Sequence, residues 1–573
     1  MFFSMATLVH VTHEAVQQAG GIGTVLRGLI TARSYQAHCQ RTILLGPLTE
    51  PDSAQPLGLD GEILYDATRS IRAADIADQL SAVERKFGVR LVYGRRLLTQ
   101  DGHRASPEVL LVDVSRPPER LNEFKRDLFL QFGLESHRYE QHWEYEQYLR
   151  LAEPGFAAVR SLVGDAPFLL LAHEFMGLGT AFKALMSDAA CKTLFYAHEV
   201  ATVRPLVEER PGRDIAFYNA LRQARANGQY IDELFGPQDG YFKHALVSQA
   251  WRLDAVLAVG DWVEEELRFL GPEFASRPID LVYNGVPATE LSGAEREAAR
   301  KKVQASGSAL LGWTPDLIFT HVARLVESKG LWRDLLVLEH LDHHLWERGQ
   351  RALFIALATE TGRRDLEDVQ RMAAYGWPLV HREGGSDLSS GELKFDLLVR
   401  AFNARTRAIK ALFVNQFGWD RQSCGAFLPT NAEFADLRRG SDAEFGQSIY
   451  EPFGISQVEC LSSGTISVVS DVCGCRGFVR QAAGEVGLGG FIEGAYTQLD
   501  ETDRASQPLG VRECTQAEAV QSRVVASALA SQLSAGATGR KKLLAEGYAA
   551  AQKMSWELVA KDMLLPVLRR LEK

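Results

Sequence analysis

The sequence predicts an α/β protein with two parallel-sheet domains. Short apolar runs alternate with helix-length segments, the alternation restarts near mid-chain, and 573 residues exceed what one hydrophobic core usually holds.

In the first half the apolar runs are 8–11, 42–45, 168–172, 193–197, 255–259 and 280–283. Strands separated by helix-length segments indicate a parallel sheet. The second series comprises 317–322, 353–357, 411–414 and 465–470. Between them, at 292–314, lie a charged helix-like stretch and a Ser/Gly cluster, followed by Pro315, which places the seam there. The expected domains are residues 1–300 and 301–545, with 546–573 as a terminal helix.

Two stretches fit the alternation poorly. Residues 60–150 are charged and helix-prone, with Tyr139, Trp143, Tyr145 and Tyr148 close together, and read as a helical insertion. Residues 378–447 carry Gly, Asp and Arg between recognisable strands and read as a second insertion. Insertions of this kind are where specificity resides. At the end of the chain, Trp556, Val559, Ala560, Met563, Leu564, Val567, Leu568 and Leu571 recur at helical spacing after Ser555, a suitable N-cap, with Pro566 expected to kink the helix.

Composition excludes several classes. With 46% hydrophobic and 24% charged residues, the chain is ordinary globular protein. A net charge of −10 gives no general reason to bind nucleic acid or an anionic membrane, so any phosphate site must be local. The opening MFFSM lacks a basic leader and no apolar run is long enough to span a bilayer, so the expected location is cytoplasmic. Seven scattered cysteines suit a reducing compartment. Cys473 and Cys475, even with Cys460, lack the second pair a metal site needs, and no metal is expected.

Three motifs carry chemistry. Gly20 and Gly21 precede a helix start at Ile22, where backbone amides can approach an anion or simply make a tight turn. Arg324 and Lys329, with Gly330, follow the first strand of the second domain, where an open α/β sheet binds ligands. Two fixed cations there would stabilise a departing diphosphate. In Tyr450-Glu451-Pro452-Phe453-Gly454-Ile455-Ser456-Gln457-Val458-Glu459, two carboxylates eight positions apart flank a Pro and a Gly. Glu451 would sit on a loop and Glu459 about a turn into a helix, one for sugar hydroxyls and one for ribose, with the amides of Gly454, Ile455 and Ser456 free for phosphate. His173 and His198 each follow an apolar run at a sheet's carboxyl edge, whereas His340, His343 and His344 read as a solvated helix face.

The 451–459 segment resembles the E-x7-E motif of retaining glycosyltransferases with the GT-B fold, and its E-P-x-G core is similar to that of glycogen and starch synthases. The R-L-V-x-x-K-G run at 324–330 resembles their pair of diphosphate-binding cations, and Asn284-Gly285-Val286 their N-G-[VI] stretch. His173-Glu174-Phe175 is similar to their H-[DE]-W segment and Tyr196-Ala197-His198 to T-x-H. Gly20-Gly21-Ile22 resembles the K-x-G-G-L loop, although Gln18 replaces its lysine, and Met176 replaces a second histidine.

The resemblance implies two Rossmann-like domains in GT-B architecture, a deep interdomain cleft, and a C-terminal helix crossing back to the N-terminal domain. It implies a retaining transferase acting from UDP- or ADP-glucose on a glucan, with Glu451, His173, His198, Arg324 and Lys329 as catalytic residues. Glu459, Gly454, Ile455, Ser456, Gly20, Gly21 and Asn284 would bind the donor. No cofactor or metal is implied, the partners are a nucleotide sugar and a carbohydrate, and a homo-oligomer is left open. The rivals are a GT-B transferase for another polysaccharide, disaccharide or glycoconjugate, and a non-catalytic nucleotide-sugar or glucan-binding regulator.

Overall fold

The computed structural model describes residues 6–17, 20–382, 387–484, 488–499, 509–534 and 536–573, so Gln18 lies outside the described residues. The chain forms two compact units: Met1–Val203, Ala224–Gly285 and Ser555–Lys573, and Arg204–Gln223 with Val286–Met554.

The first unit holds a ten-stranded sheet. Seven strands run parallel, in the order Asp280–Leu281, Ala255–Ala258, Cys191–Ala197, Phe168–His173, Ala6–Val11, Cys39–Pro47 and Glu108–Val112. Leu91–Arg96, Gly61–Asp66 and Ile71–Arg72 then continue it antiparallel. The stretch read as a helical insertion is therefore only partly helical, and four of its strands extend the main sheet. Its charges misled the reading because they pair across strands: Arg41 with Glu108 at 2.8 Å and Arg90 with Asp66 at 2.7 Å. The apolar residues between them, Leu91, Val92, Val109 and Leu110, are fully buried.

The C-terminal segment belongs to this first unit, and glycine lets it dock. A Cβ on Gly28 or Gly285 would fall 2.2 or 2.6 Å from the Trp556 ring. The Glu557 carboxylate accepts from the amides of Arg33 (2.7 Å) and Ser34 (3.1 Å) at the start of the Arg33–His38 helix, and Arg570 meets Asp280. The expected kink takes the form of a π-helical stretch, Val559–Leu564, just before Pro566. A wider turn accommodates the ring that an α-helix interior would exclude.

The second unit is a six-stranded, wholly parallel sheet ordered Ile409–Val414, Ala352–Thr359, Leu317–Arg324, Ala443–Gly446, Ile466–Ser470, Phe491–Gly494. By chain order this is 3-2-1-4-5-6, the doubly wound pattern of a Rossmann sheet. Phe319, Phe354, Phe413 and Phe445 fill its core. The helix Gly293–Leu311, read as the seam, is integral to this unit: Arg296 donates to the Ser463 and Ser441 carbonyls at 2.8 and 3.0 Å, and Arg300 pairs with Asp442 at 2.6 Å. The division therefore falls at Gly285–Val286 rather than after residue 300. Residues 378–447 are likewise no insertion, since they supply the Ser390–Arg405 helix, the edge strand Ile409–Val414 and the central strand Ala443–Gly446.

Among the described residues, no helix is long and apolar enough to cross a membrane.

Candidate functional site

Each sheet reverses its winding between its first strand and the next one laid beside it on the other side, and open α/β sheets bind ligands at the carboxyl ends around that point. In the first unit the reversal lies between Ala6–Val11 and Phe168–His173. Two buried histidines meet there, His10 Nδ1 to His173 Nε2 at 2.9 Å, and His173 Nδ1 lies 2.9 Å from Nε2 of His198. The rings stack, with centroids 5.2 and 5.1 Å apart. Burial pushes His10 and His198 down to about 3, and burial with the neighbouring imidazoles holds His173 well below 6.5, so all three are neutral near pH 7. His10 was missed in the sequence, although a single histidine inside the buried run 8–11 is the kind of exception that signals a partner.

Glu174, named from the sequence only within the H-[DE]-W resemblance, was given no role there. It follows His173 with φ +58°, a conformation costly for a non-glycine residue. Its Oε1 accepts from the amides of His198 and Glu199, while Oε2 is buried with no hydrogen-bond partner among the described residues. Burial, then the charge of Glu199, pushes its carboxyl up to about 8. Asn284 also leaves its Oδ1 buried and without a hydrogen-bond partner among the described residues.

The glycine loop differs from the anion cradle expected. The Gly23 amide donates to Glu14 Oε2 at 2.8 Å, and Glu14 Oε1 lies 2.9 Å from where a Cβ on Gly20 would stand. An internal carboxylate thus occupies the helix N-terminus, and Gly20 makes room for it. Beside it a cavity of about 520 Å³ is lined by Glu14, Trp143, Glu144, Tyr148, Phe175 and Met176, among others.

In the second unit the reversal lies between Leu317–Arg324 and Ala443–Gly446. Lys329 closes a single 3₁₀ turn, Glu327–Lys329, and Gly330 follows at φ +61° with the Gln447 carbonyl only 2.4 Å from where its Cβ would be. Only glycine fits there. This approach sets Lys329 Nζ on Glu451 Oε2, which also accepts from Gln457 (3.0 Å) and Ser448 (3.2 Å). Burial works to raise the Glu451 carboxyl, but the Lys329 charge and the hydrogen bonds from Lys329 and Gln457 outweigh it and hold it below its usual range. Gly454 stands at φ +87° and opens the Ile455–Glu459 helix, whose leading amides, of Ile455 and Ser456, make no hydrogen bond among the described residues. Arg324 ends its strand exposed, without an ion pair among the described residues. Glu459 stands apart from Glu451, tied to Arg438, which also grips Glu444 at 2.8 Å.

Beneath this edge, buried Arg333 pairs with Asp214 through bonds of 2.9 and 2.8 Å and with Glu518 at 2.7 Å. Asp334 joins His321 to Gln447, and Tyr496 donates to Gln447 at 2.6 Å. The three cysteines weighed as metal ligands are buried thiols, Cys473 and Cys475 with sulfurs 3.4 Å apart, and among the described residues no cluster of His, Cys, Asp or Glu is placed to hold a metal ion.

No known protein family and no curated protein matches the chain. Solved structures do match along its whole length. It is similar to the E. coli trehalose-6-phosphate structure bound with UDP-2-fluoro glucose, at 12% identity, covering 99% of each chain with a TM-score of 0.50. It is equally similar to the UDP-forming α,α-trehalose-phosphate synthases of Burkholderia vietnamiensis (14%, 99% and 98% covered, 0.50) and Burkholderia xenovorans with glucose-6-phosphate (12%, 99% and 100%, 0.50). The fold is GT-B. In the GT-B chain the predicted residues therefore divide by unit. His173, His198, Gly20, Gly21 and Asn284 belong to the first, and Arg324, Lys329, Glu451, Gly454, Ile455, Ser456 and Glu459 to the second.

Proposed function

We propose that this chain is a retaining glycosyltransferase that moves a glucosyl or related unit from a nucleotide-diphosphate sugar to a glucan-type acceptor. The observation that carries the reading is the Lys329–Glu451 pair beside the open amides of Ile455 and Ser456, at the reversal point of the second sheet. Lys329 and Arg324 neutralise the diphosphate, Glu451 positions the sugar and Glu459 holds the ribose. The bond from the anomeric carbon to the diphosphate breaks, the acceptor oxygen bonds to that carbon on the same face, and the acceptor proton passes to the departing phosphate. Charge appears on the diphosphate as the bond breaks, so fixed cations favour the transition state over the ground state. These side chains do the work that a bound metal does elsewhere.

The acceptor reading draws on the cavity beside Glu14. Its aromatic faces with carboxylates suit sugar hydroxyls and repel phosphate. A phosphorylated sugar is the second reading, favoured by Arg96, which lines a neighbouring cavity of about 260 Å³. Purified protein given UDP- or ADP-glucose with chelator present is expected to release nucleoside diphosphate with a glucan primer. Release only with glucose 6-phosphate selects the second reading, and donor binding without release across the panel rejects catalysis.

A further inference from the structure

The histidine contacts of the first unit do not stop at the three imidazoles. His10 Nε2 lies 2.9 Å from the hydroxyl of Tyr35, which is 3.1 Å from Thr42 Oγ1. Five side chains, four from separate elements and His198 from the bend just past the Cys191–Ala197 strand, thus form one line: Thr42, Tyr35, His10, His173 and His198. Its far end, half-buried His198, keeps Nδ1 without a hydrogen bond among the described residues.

A neutral imidazole has one N–H and one bare nitrogen, so each 2.9 Å nitrogen–nitrogen contact needs a proton from one side only. Two arrangements satisfy every link. In one, Tyr35 donates to His10 and every histidine carries its proton on Nδ1, leaving His198 a donor at its open edge. In the other every histidine carries it on Nε2, His10 donates to Tyr35, Tyr35 donates to Thr42, and His198 Nδ1 is an acceptor. Mixed arrangements set two lone pairs or two protons against each other in a buried contact, at high cost.

We propose that Tyr35 and Thr42 act as positioning residues which, through His10 and His173, set whether His198 offers a donor or an acceptor to a bound ligand. This rests on hydrogen-bond geometry and holds whether or not the transferase reading is right. Removing the Tyr35 hydroxyl leaves His10 Nε2 facing no partner, and a buried nitrogen lone pair tolerates this better than a buried N–H does. Removing the Thr42 hydroxyl leaves Tyr35 only His10 and the Cys39 thiol to donate to, and a thiol sulfur is much the weaker acceptor, so His10 takes the proton. Both changes select the donor form of His198.

The test is the ring-nitrogen NMR spectrum of the full chain with ¹⁵N-labelled histidine at neutral pH, assigned with His10→Gln and His198→Gln. In the native protein the three histidines are expected to share one tautomer ratio. In Tyr35→Phe and in Thr42→Val, the ratio at His198 is expected to move toward the Nδ1–H form by about tenfold, in step with His10 and His173. Unequal tautomers in the native chain overturn the proposal, as does a response in either folded variant confined to His10. Thr42→Val, at the edge of the network, serves as the reading if Tyr35→Phe does not fold.

Discussion

The two sheet edges solve the same problem, keeping polar groups at the buried end of a parallel sheet, by opposite means. The first unit uses groups that burial keeps uncharged: stacked imidazoles, a phenol and a carboxyl raised to about 8. The second uses full charges, and apart from exposed Arg324 the cations named there have carboxylate partners: Lys329 with Glu451, Arg333 with Asp214 and Glu518, Arg438 with Glu444 and Glu459. A neutral hydrogen-bonding edge suits hydroxyl groups, and a charged one suits a diphosphate. That contrast supports the proposal that the acceptor binds one unit and the nucleotide sugar the other.

Three changes press on the contrast. Replacing Lys329 by Ala is expected to lower nucleoside-diphosphate release by about 10³-fold, the scale of losing a fixed transition-state charge. A loss under tenfold in initial rate would remove Lys329 from its assigned role. Next, Asp214→Ala leaves Arg333 buried without its main partner, at a cost of about 3–5 kcal/mol in urea unfolding, while Asp214→Ala with Arg333→Leu recovers most of it. If the double variant is as unstable as the single, pairing is not what makes those charges tolerable.

The third change is smaller and belongs to the neutral edge. Because folding lowers the His10 pKa from 6.5 to about 3, its contribution to stability is full above pH 6.5 and is lost as pH falls toward 3. Between pH 7 and 5 this amounts to about 2 kcal/mol, and His10→Gln is expected to flatten the slope by that much in denaturant titrations. Asp471, which burial pushes up to about 6, acts in the opposite sense but is common to both proteins and cancels. Equal slopes would mean that His10 is not held neutral.

Much of the architecture was legible, because every apolar run except 280–283, of which only Asp280–Leu281 is a strand, lies within or largely overlaps a strand of the structure, and Arg324, Lys329 and Glu451 fall at or beyond strand ends where loops project. The errors have a common cause. Residues 60–150 read as a helical insertion because they are charged and helix-prone, when their Asp66 and Glu108 carboxylates sit on sheet strands, paired with Arg90 and with Arg41 of a neighbouring strand. The Ala443–Gly446 strand escaped notice because Glu444 interrupts it, and the Arg438 guanidinium makes that carboxylate tolerable at a buried position. Gly20 and Gly21 pointed to an anion, and the structure supplies one from the chain itself, Glu14.

What the sequence determined by itself was the parallel core of each sheet and the residue types at its carboxyl edge, since hydrophobic periodicity and glycine placement are local properties. Only the tertiary structure decided that His10, Tyr35 and Thr42 join His173 and His198, and that Asp214 neutralises Arg333 from 119 positions away. Burial and the proton or charge partners that make it bearable come from segments remote in the chain, and no local pattern records them.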